Sequence, residues 1–218
     1  MEGGAIHYSS HGTNTQIFLA NRTYLSLVLC TFFIIGIAVP VLANGPEEEI
    51  RQTTNKILSI VIDPALKNPS RKEERRRLVR KAIDERFDWE EMSRRSLARY
   101  WDQRTDEEKK EFVRLYSDLV ERTYMDKVEG YSGEKVIYKG ESVDNGYAVV
   151  KVEIVTKKNT YIHVHYRLKK KENKWLVYDV SIEGVSLVQN YRTQFNSIIL
   201  HSSYENLIKR LRERVELK

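Results

Sequence analysis

The chain has 218 residues, 41% hydrophobic and 31% charged, with 37 Lys and Arg against 31 Asp and Glu for a formal charge of +6. That length fits one domain, or one with a small subdomain, and four prolines with ten glycines are too few for a long disordered linker. The single cysteine, Cys30, lies in an apolar N-terminal run, so a chain that has lost that run has no disulfide, thiolate zinc site or cysteine nucleophile.

The basic balance fits an anionic partner, nucleic acid or a membrane surface, and charge alone does not choose between them. The N-terminus bears on that choice. Residues 1–23 are polar, with Arg22 their only Lys or Arg, and the uncharged run Thr23 to Ala43 follows. It ends in Val41-Leu42-Ala43, with Val at −3 and Ala at −1 of a small-residue cleavage site. This predicts a secretory signal peptide over 1–43, with an unusually long stretch before Arg22. The alternative is an uncleaved membrane anchor, since about 20 apolar residues span a bilayer. Leu27-Val28-Leu29-Cys30 lacks the small residue that a lipoprotein signal needs before its Cys, and no twin-Arg pair precedes the run. Both readings put the domain 44–218 outside the cytoplasm, which argues against nucleic acid.

Glu47 to about Ile62 reads as a helix with a weak stripe of Ile50, Ile57, Leu58 and Val61. Asp63-Pro64 and Asn68-Pro69 punctuate the chain, and Ser70 with Glu73 offers a capping box for the next helix. That helix carries Arg71, Lys72, Arg75, Arg76, Arg77, Arg80 and Lys81. It is either a solvated face with intrahelical pairs such as Glu73–Arg77, or an electropositive face for headgroups or an acidic partner. Asp88 and Glu91 open another helix, with Met92, Leu97, Tyr100 and Trp101 as bulk. Thr105 and Glu108 box the longest helix, to about Val128, whose apolar face runs Phe112, Leu115, Tyr116, Leu119, Thr123 and Tyr124.

From Glu134 the period becomes two. Val136 and Tyr138 begin a first strand. Ala148, Val150, Val152 and Ile154 mark a second, and Ile162, Val164, Tyr166 and Leu168 a third that alternates with His163, His165 and Arg167. In a fourth, Leu176, Tyr178, Val180 and Ile182 fall on one side, with Trp175, Val177, Asp179 and Ser181 on the other. Short polar turns make these strands antiparallel neighbours with one covered face. Gly184 then turns the chain, and Ser186 with Gln189 caps a helix bearing Leu187, Tyr191, Phe195 and Ile198. A last charged helix runs Tyr204 to Glu216, with Ser202 and Glu205 as its box. The expected fold is α+β: a curved antiparallel sheet of about four strands wrapped by helices.

The run YDVSIEGVSLVQNYRTQF, preceded by Trp175, resembles the signature of the MlaC family, periplasmic phospholipid-binding proteins also called the toluene-tolerance auxiliary component. FDWEEMSRRSLARYW and EEKKEFVRLYSDLVERTYMDKVEGY resemble further family segments, with Ala98 where Gly is frequent. The resemblance implies an NTF2-like, cystatin-like fold with a helical subdomain. It implies a carrier of phospholipid between inner and outer membranes that maintains outer-membrane lipid asymmetry. The implied partners are an inner-membrane ABC transporter complex with an MCE-domain subunit and an outer-membrane lipoprotein–porin complex.

No nucleophile elbow, P-loop, dinucleotide fingerprint or HExxH motif is present. His163 and His165 share a strand face but lack a third metal ligand in sequence reach. Asp179 among aromatic neighbours is either a general base of an NTF2-like enzyme with a small apolar pocket, or a structural carboxylate bound to an Arg or a backbone amide. Arg192 can meet a phosphate headgroup or pair with Asp179 or Glu183. The expected lipid-binding set is Tyr116, Leu119, Tyr124, Tyr191 and Phe195 from helices with Val150, Val152, Val164, Tyr166, Tyr178 and Val180 from strands. The same pattern serves a solid core in a ligand-free envelope scaffold. No catalytic residue, metal or cofactor is expected, only phospholipid as cargo.

Overall fold

The structure is a computed structural model that describes residues 44–216, so the leader expected over 1–43 lies outside it. The described residues form one compact unit. Six helices flank one open antiparallel sheet: α1 (Pro46–Ile62), α2 (Lys72–Asp84), α3 (Trp89–Leu97), α4 (Asp106–Glu129), α5 (Leu187–His201) and α6 (Tyr204–Glu216). Strands β1 (Lys135–Asp144), β2 (Tyr147–Val155), β3 (Tyr161–Lys171) and β4 (Lys174–Ile182) follow in order, and a two-residue β5 (Val185–Ser186) completes the sheet. This is the expected α+β arrangement with one short strand more.

Local chemistry explains the connections. Asn145-Gly146 and Glu183-Gly184 close two-residue hairpin turns, with φ of +46° and +78° in the first and +50° and +79° in the second. Such turns need positive φ at both positions, which Gly supplies at no steric cost. Thr105 and Glu108 form the expected capping box, and Asp88 accepts the Glu91 N–H at 3.0 Å. Two caps differ from expectation. Asn68 accepts from the Ser70 N–H, because Pro69 starts a 3-10 turn and makes Ser70 an interior residue of it. Ser203, not Ser202, accepts the Asn206 N–H ahead of α6.

The fourth strand also departs from simple alternation. Arg167 pairs with Asp179 but Leu168 pairs with Val177, so Tyr178 is the extra residue of a β-bulge. Trp175 and Val177 therefore join Val180 on the apolar side, where alternation had put Leu176 and Tyr178. The apolar face of the sheet packs on Ile50 of α1 and Leu187 of α5. A separate helical cluster holds Met92, Phe112, Tyr116, Tyr191, Phe195 and Leu207 from α3 to α6. Phe87 and Tyr124 touch both clusters.

Three arginines of the basic helix α2 turn their charge to α4. Arg75 meets Glu129 at 2.8 Å, Arg76 meets Glu129 and Asp126, and Arg80 meets Asp118 and Glu121 as well as Asp84 in its own helix. These contacts tie two helices together and use Arg75, Arg76 and Arg80, while Lys72, Arg77 and Lys81 stay exposed. A second buried pair, Glu49 with Arg86, joins α1 to the start of β4, since both side chains also bond the Trp175 backbone.

Asp179 holds the β4-to-α5 junction. It is 5% exposed. Its Oδ1 accepts the Val188 N–H at 3.1 Å, and its Oδ2 accepts from the Ser186 hydroxyl at 2.7 Å and Arg167 Nη1 at 2.8 Å. Ser186 in turn caps α5 by accepting the Gln189 N–H at 3.0 Å. A negative charge at a helix N-terminus is favourable, and here it is hydrogen-bonded on both oxygens. Removing it leaves a buried amide and an ion-pair partner unsatisfied. Asp179→Ala is expected to cost about 2 to 3 kcal/mol, discounted because Arg167 is half exposed. Urea denaturation checks this, and a loss no larger than that of a surface Asp→Ala change contradicts it.

Candidate functional site

The two faces of the sheet build two different surfaces. On the apolar face, Val150, Val152, Val164 and Val180 are buried, while Val136, Tyr138, Ile154, Ile162, Tyr166 and Ile182 are only partly covered. Tyr166 shows what that means. Burial pushes its hydroxyl up to about 12, with Tyr138 adding to the shift, yet part of the side chain stays accessible. The neighbouring side chains thus cover this ring only in part. Tyr124 reaches this region from α4, and burial raises its hydroxyl too.

The helical members of the expected set are placed elsewhere. Tyr116 is fully buried, with ring centroids 5.3 Å from Tyr191 and 5.6 Å from Phe195 in edge-to-face contacts. Its hydroxyl accepts from Ser96 at 3.1 Å. Leu119 belongs to the same cluster. So the structure brings Val150, Val152, Val164, Tyr166 and Val180 together with Tyr124, and puts Tyr116, Leu119, Tyr191 and Phe195 in the packed helical core.

Tyr178 and Arg192 lie on a third surface. A cleft of about 800 Å³ opens where the polar side of β3 and β4 meets α3 and the start of α5. Arg94 and Arg95 come from α3, and Arg99, Trp101 and Asp102 from the 3-10 turn Ala98–Gln103 that follows. Arg167 comes from β3, Tyr178 and Asp179 from β4, and Gln189 and Arg192 from α5. Ala98, at φ +51°, starts the turn that carries Arg99 and Trp101 to the rim. For a residue with a Cβ that conformation stores about 1 to 3 kcal/mol of strain.

Glu91 lies behind the cleft. It accepts from Arg94 Nε and Nη2 at 2.9 and 2.8 Å, and from Arg95 Nε at 2.7 Å. Arg95 also lies 4.2 Å over the Tyr178 ring, and Tyr178 meets Tyr147 edge-on at 5.9 Å. Arg192 pairs with neither Asp179 nor Glu183: Arg167 takes the first and His163 the second. Arg95 lies on α3 and Arg99 beyond the break at Ala98, so helical spacing does not set their common side. Arg167 joins them only through the tertiary fold, so its place in the cleft has no local signal.

Among the described residues no group of three or more His, Cys, Asp or Glu could hold a metal, and no helix is long and apolar enough to cross a membrane. Asp179 makes the contacts of the structural reading, to an Arg and a backbone amide.

A helix-flanked antiparallel sheet with one part-covered apolar face defines the class, and comparison with known proteins narrows it. The family model of MlaC protein matches residues 51–213, and the chain belongs to that family. It is 21% identical over 196 residues to the intermembrane phospholipid transport system binding protein MlaC of Haemophilus influenzae, covering 88% of this chain and 91% of that protein. It superposes with TM-score 0.71 on a phospholipid-binding protein from Ralstonia solanacearum solved in complex with a phospholipid. That match has 25% identity and covers 79% of this chain and 97% of the other.

The Glu91 carboxyl is held down to about 2 by hydrogen bonds from Arg94 and then Arg95. A carboxyl whose folded value is depressed stabilises the fold above its unfolded value, and that stability is lost as pH falls from about 4.5 to 2. Glu91→Gln is expected to lower Tm at pH 7 and to flatten its fall below pH 4.5. A melting series from pH 7 to 2.5 measures this, and parallel acid limbs for the two proteins would rule it out.

Proposed function

We propose that the chain is a periplasmic phospholipid carrier that holds acyl chains against the apolar face of the sheet. The single observation that carries this reading is the incomplete cover of that face around Tyr166, Ile162 and Ile154. Burying a methylene yields about 0.8 kcal/mol, so two acyl chains in such a space are held without polar contacts. Family membership supports the reading, as does the phospholipid in the Ralstonia protein. Within this proposal the cargo moves between inner and outer membranes, exchanged with an ABC transporter complex bearing an MCE-domain subunit and with an outer-membrane lipoprotein–porin complex. No covalent step is involved. The leader over 1–43 exports the chain.

Residues 44–218, purified without detergent, are expected to carry about one equivalent of phospholipid in their organic extract by mass spectrometry. Tyr166→Glu, and Ile162→Trp as a variant that fills space without adding charge, are expected to lose most of it while keeping wild-type circular dichroism. A wild-type protein that holds no lipid and takes none from vesicles contradicts the carrier reading. Folded variants that still hold lipid contradict the placement of the site.

A further inference from the structure

We infer that the arginine cleft on the polar side of the sheet is a receptor for a phosphate group, separate from the acyl-chain face. Side chains alternate along β3, so Arg167 points away from Tyr166 and Leu168, and the bulge leaves Tyr178 and Asp179 on the Arg167 side. The sheet itself therefore lies between this cleft and the apolar face.

The cleft has the construction of an anion site. Five guanidiniums outnumber the three nearby carboxylates, Asp102, Asp179 and Glu91. Two of those carboxylates act from behind. Glu91, 9% exposed, clamps Arg94 and Arg95, and Asp179 clamps Arg167. Each clamp uses part of the fork and leaves further N–H donors: Nη1 of Arg94, both Nη of Arg95, and Nε and Nη2 of Arg167. Arg99 is steadied by the Tyr100 hydroxyl, which accepts from Nη2 at 2.9 Å. The immobilisation entropy of these side chains is thus already spent before a ligand arrives. Arg192, exposed on the first turns of α5, has no carboxylate partner among the described residues.

A carboxylate offers two oxygens and satisfies one fork, as Glu91 and Asp179 do here. A tetrahedral phosphate offers oxygens in several directions, which suits several forks around one space. A volume of about 800 Å³ admits a phosphate with an attached group, and Trp101 and Tyr178 supply flat surface beside it. Two sources share this chemistry: headgroup phosphates presented at a bilayer, and a soluble phosphate.

The test uses residues 44–218 and the double variant Arg99→Ala/Arg192→Ala, whose side chains lie at the exposed rim. Titration with inorganic phosphate by calorimetry probes the soluble source. Cosedimentation with phosphatidylcholine vesicles, with and without an equal part of phosphatidylglycerol, probes the bilayer source. Wild type is expected to bind at least one probe, and the variant to bind it about tenfold more weakly or less. Saturable binding of inorganic phosphate assigns a soluble ligand. Binding to the phosphatidylglycerol vesicles alone assigns headgroups at a surface. Failure to bind either probe, or equal binding by the variant, overturns the inference. Lipid copurifying with the variant is expected to stay at the wild-type level, so failure here is distinguishable from failure of the carrier reading.

Discussion

The Asp179 carboxylate is the constraint from which the rest of the molecule is arranged. One oxygen takes the Val188 amide and the other takes Arg167 and Ser186, so a strand, its neighbour and a helix start are joined at one buried point. Pinning the first turn of α5 sets the rotation of the whole helix. Tyr191 and Phe195 then meet Tyr116 in the helical core, while Gln189 and Arg192 turn to the cleft. This carboxylate fixes position through the groups it bonds. An Asp among aromatic residues suits a general base equally well on sequence, and only the fold shows the partners it holds.

The sheet separates two kinds of chemistry. Its apolar face carries Ile154, Ile162 and Tyr166 under partial cover beside the buried Val150, Val164 and Val180, and its polar face carries Arg167 and the bulged Tyr178. The helices divide in the same way. The acidic side of α4 takes Arg75, Arg76 and Arg80 of α2 through Asp118, Glu121 and Glu129, so most of the densest run of arginines in the sequence is structural. The arginines left to face solvent in a concave setting are the less conspicuous ones of α3, β3 and α5. Local charge density is thus a poor guide to where a positive field is available, because pairing across helices is a tertiary fact.

Much of the fold was legible in the sequence where the signal is local. The Thr105–Glu108 box, the Ser186–Gln189 cap and the alternation through Val150 and Val164 depend on neighbours three residues away or fewer, and all appear as expected. The candidate site was legible only in part. Helical spacing identifies Tyr116 and Phe195 as apolar positions, but it does not say whether their partner is the sheet or another helix, and here it is other helices. The strand set around Tyr166 and Val180 does gather, since residues of one strand face share a neighbourhood by geometry. The cleft was missed because Arg95, Arg167 and Arg192 meet only after the chain has folded.

The bulge at Tyr178 holds the two halves of β4 on their correct faces. With one extra residue between Val177 and Asp179, the two halves of the strand are out of phase, and each half has its correct face only because of that offset. Smoothing the bulge with every residue kept would pair Leu168 with Tyr178 and exchange inside for outside in the first half of the strand: Val177 would turn towards the arginines and Leu176 towards the apolar layer. Losing Tyr178 itself would have the opposite effect. Val177 would stay opposite Leu168 and Asp179 opposite Arg167, so both faces would survive and only the aromatic ring beside the cleft would go.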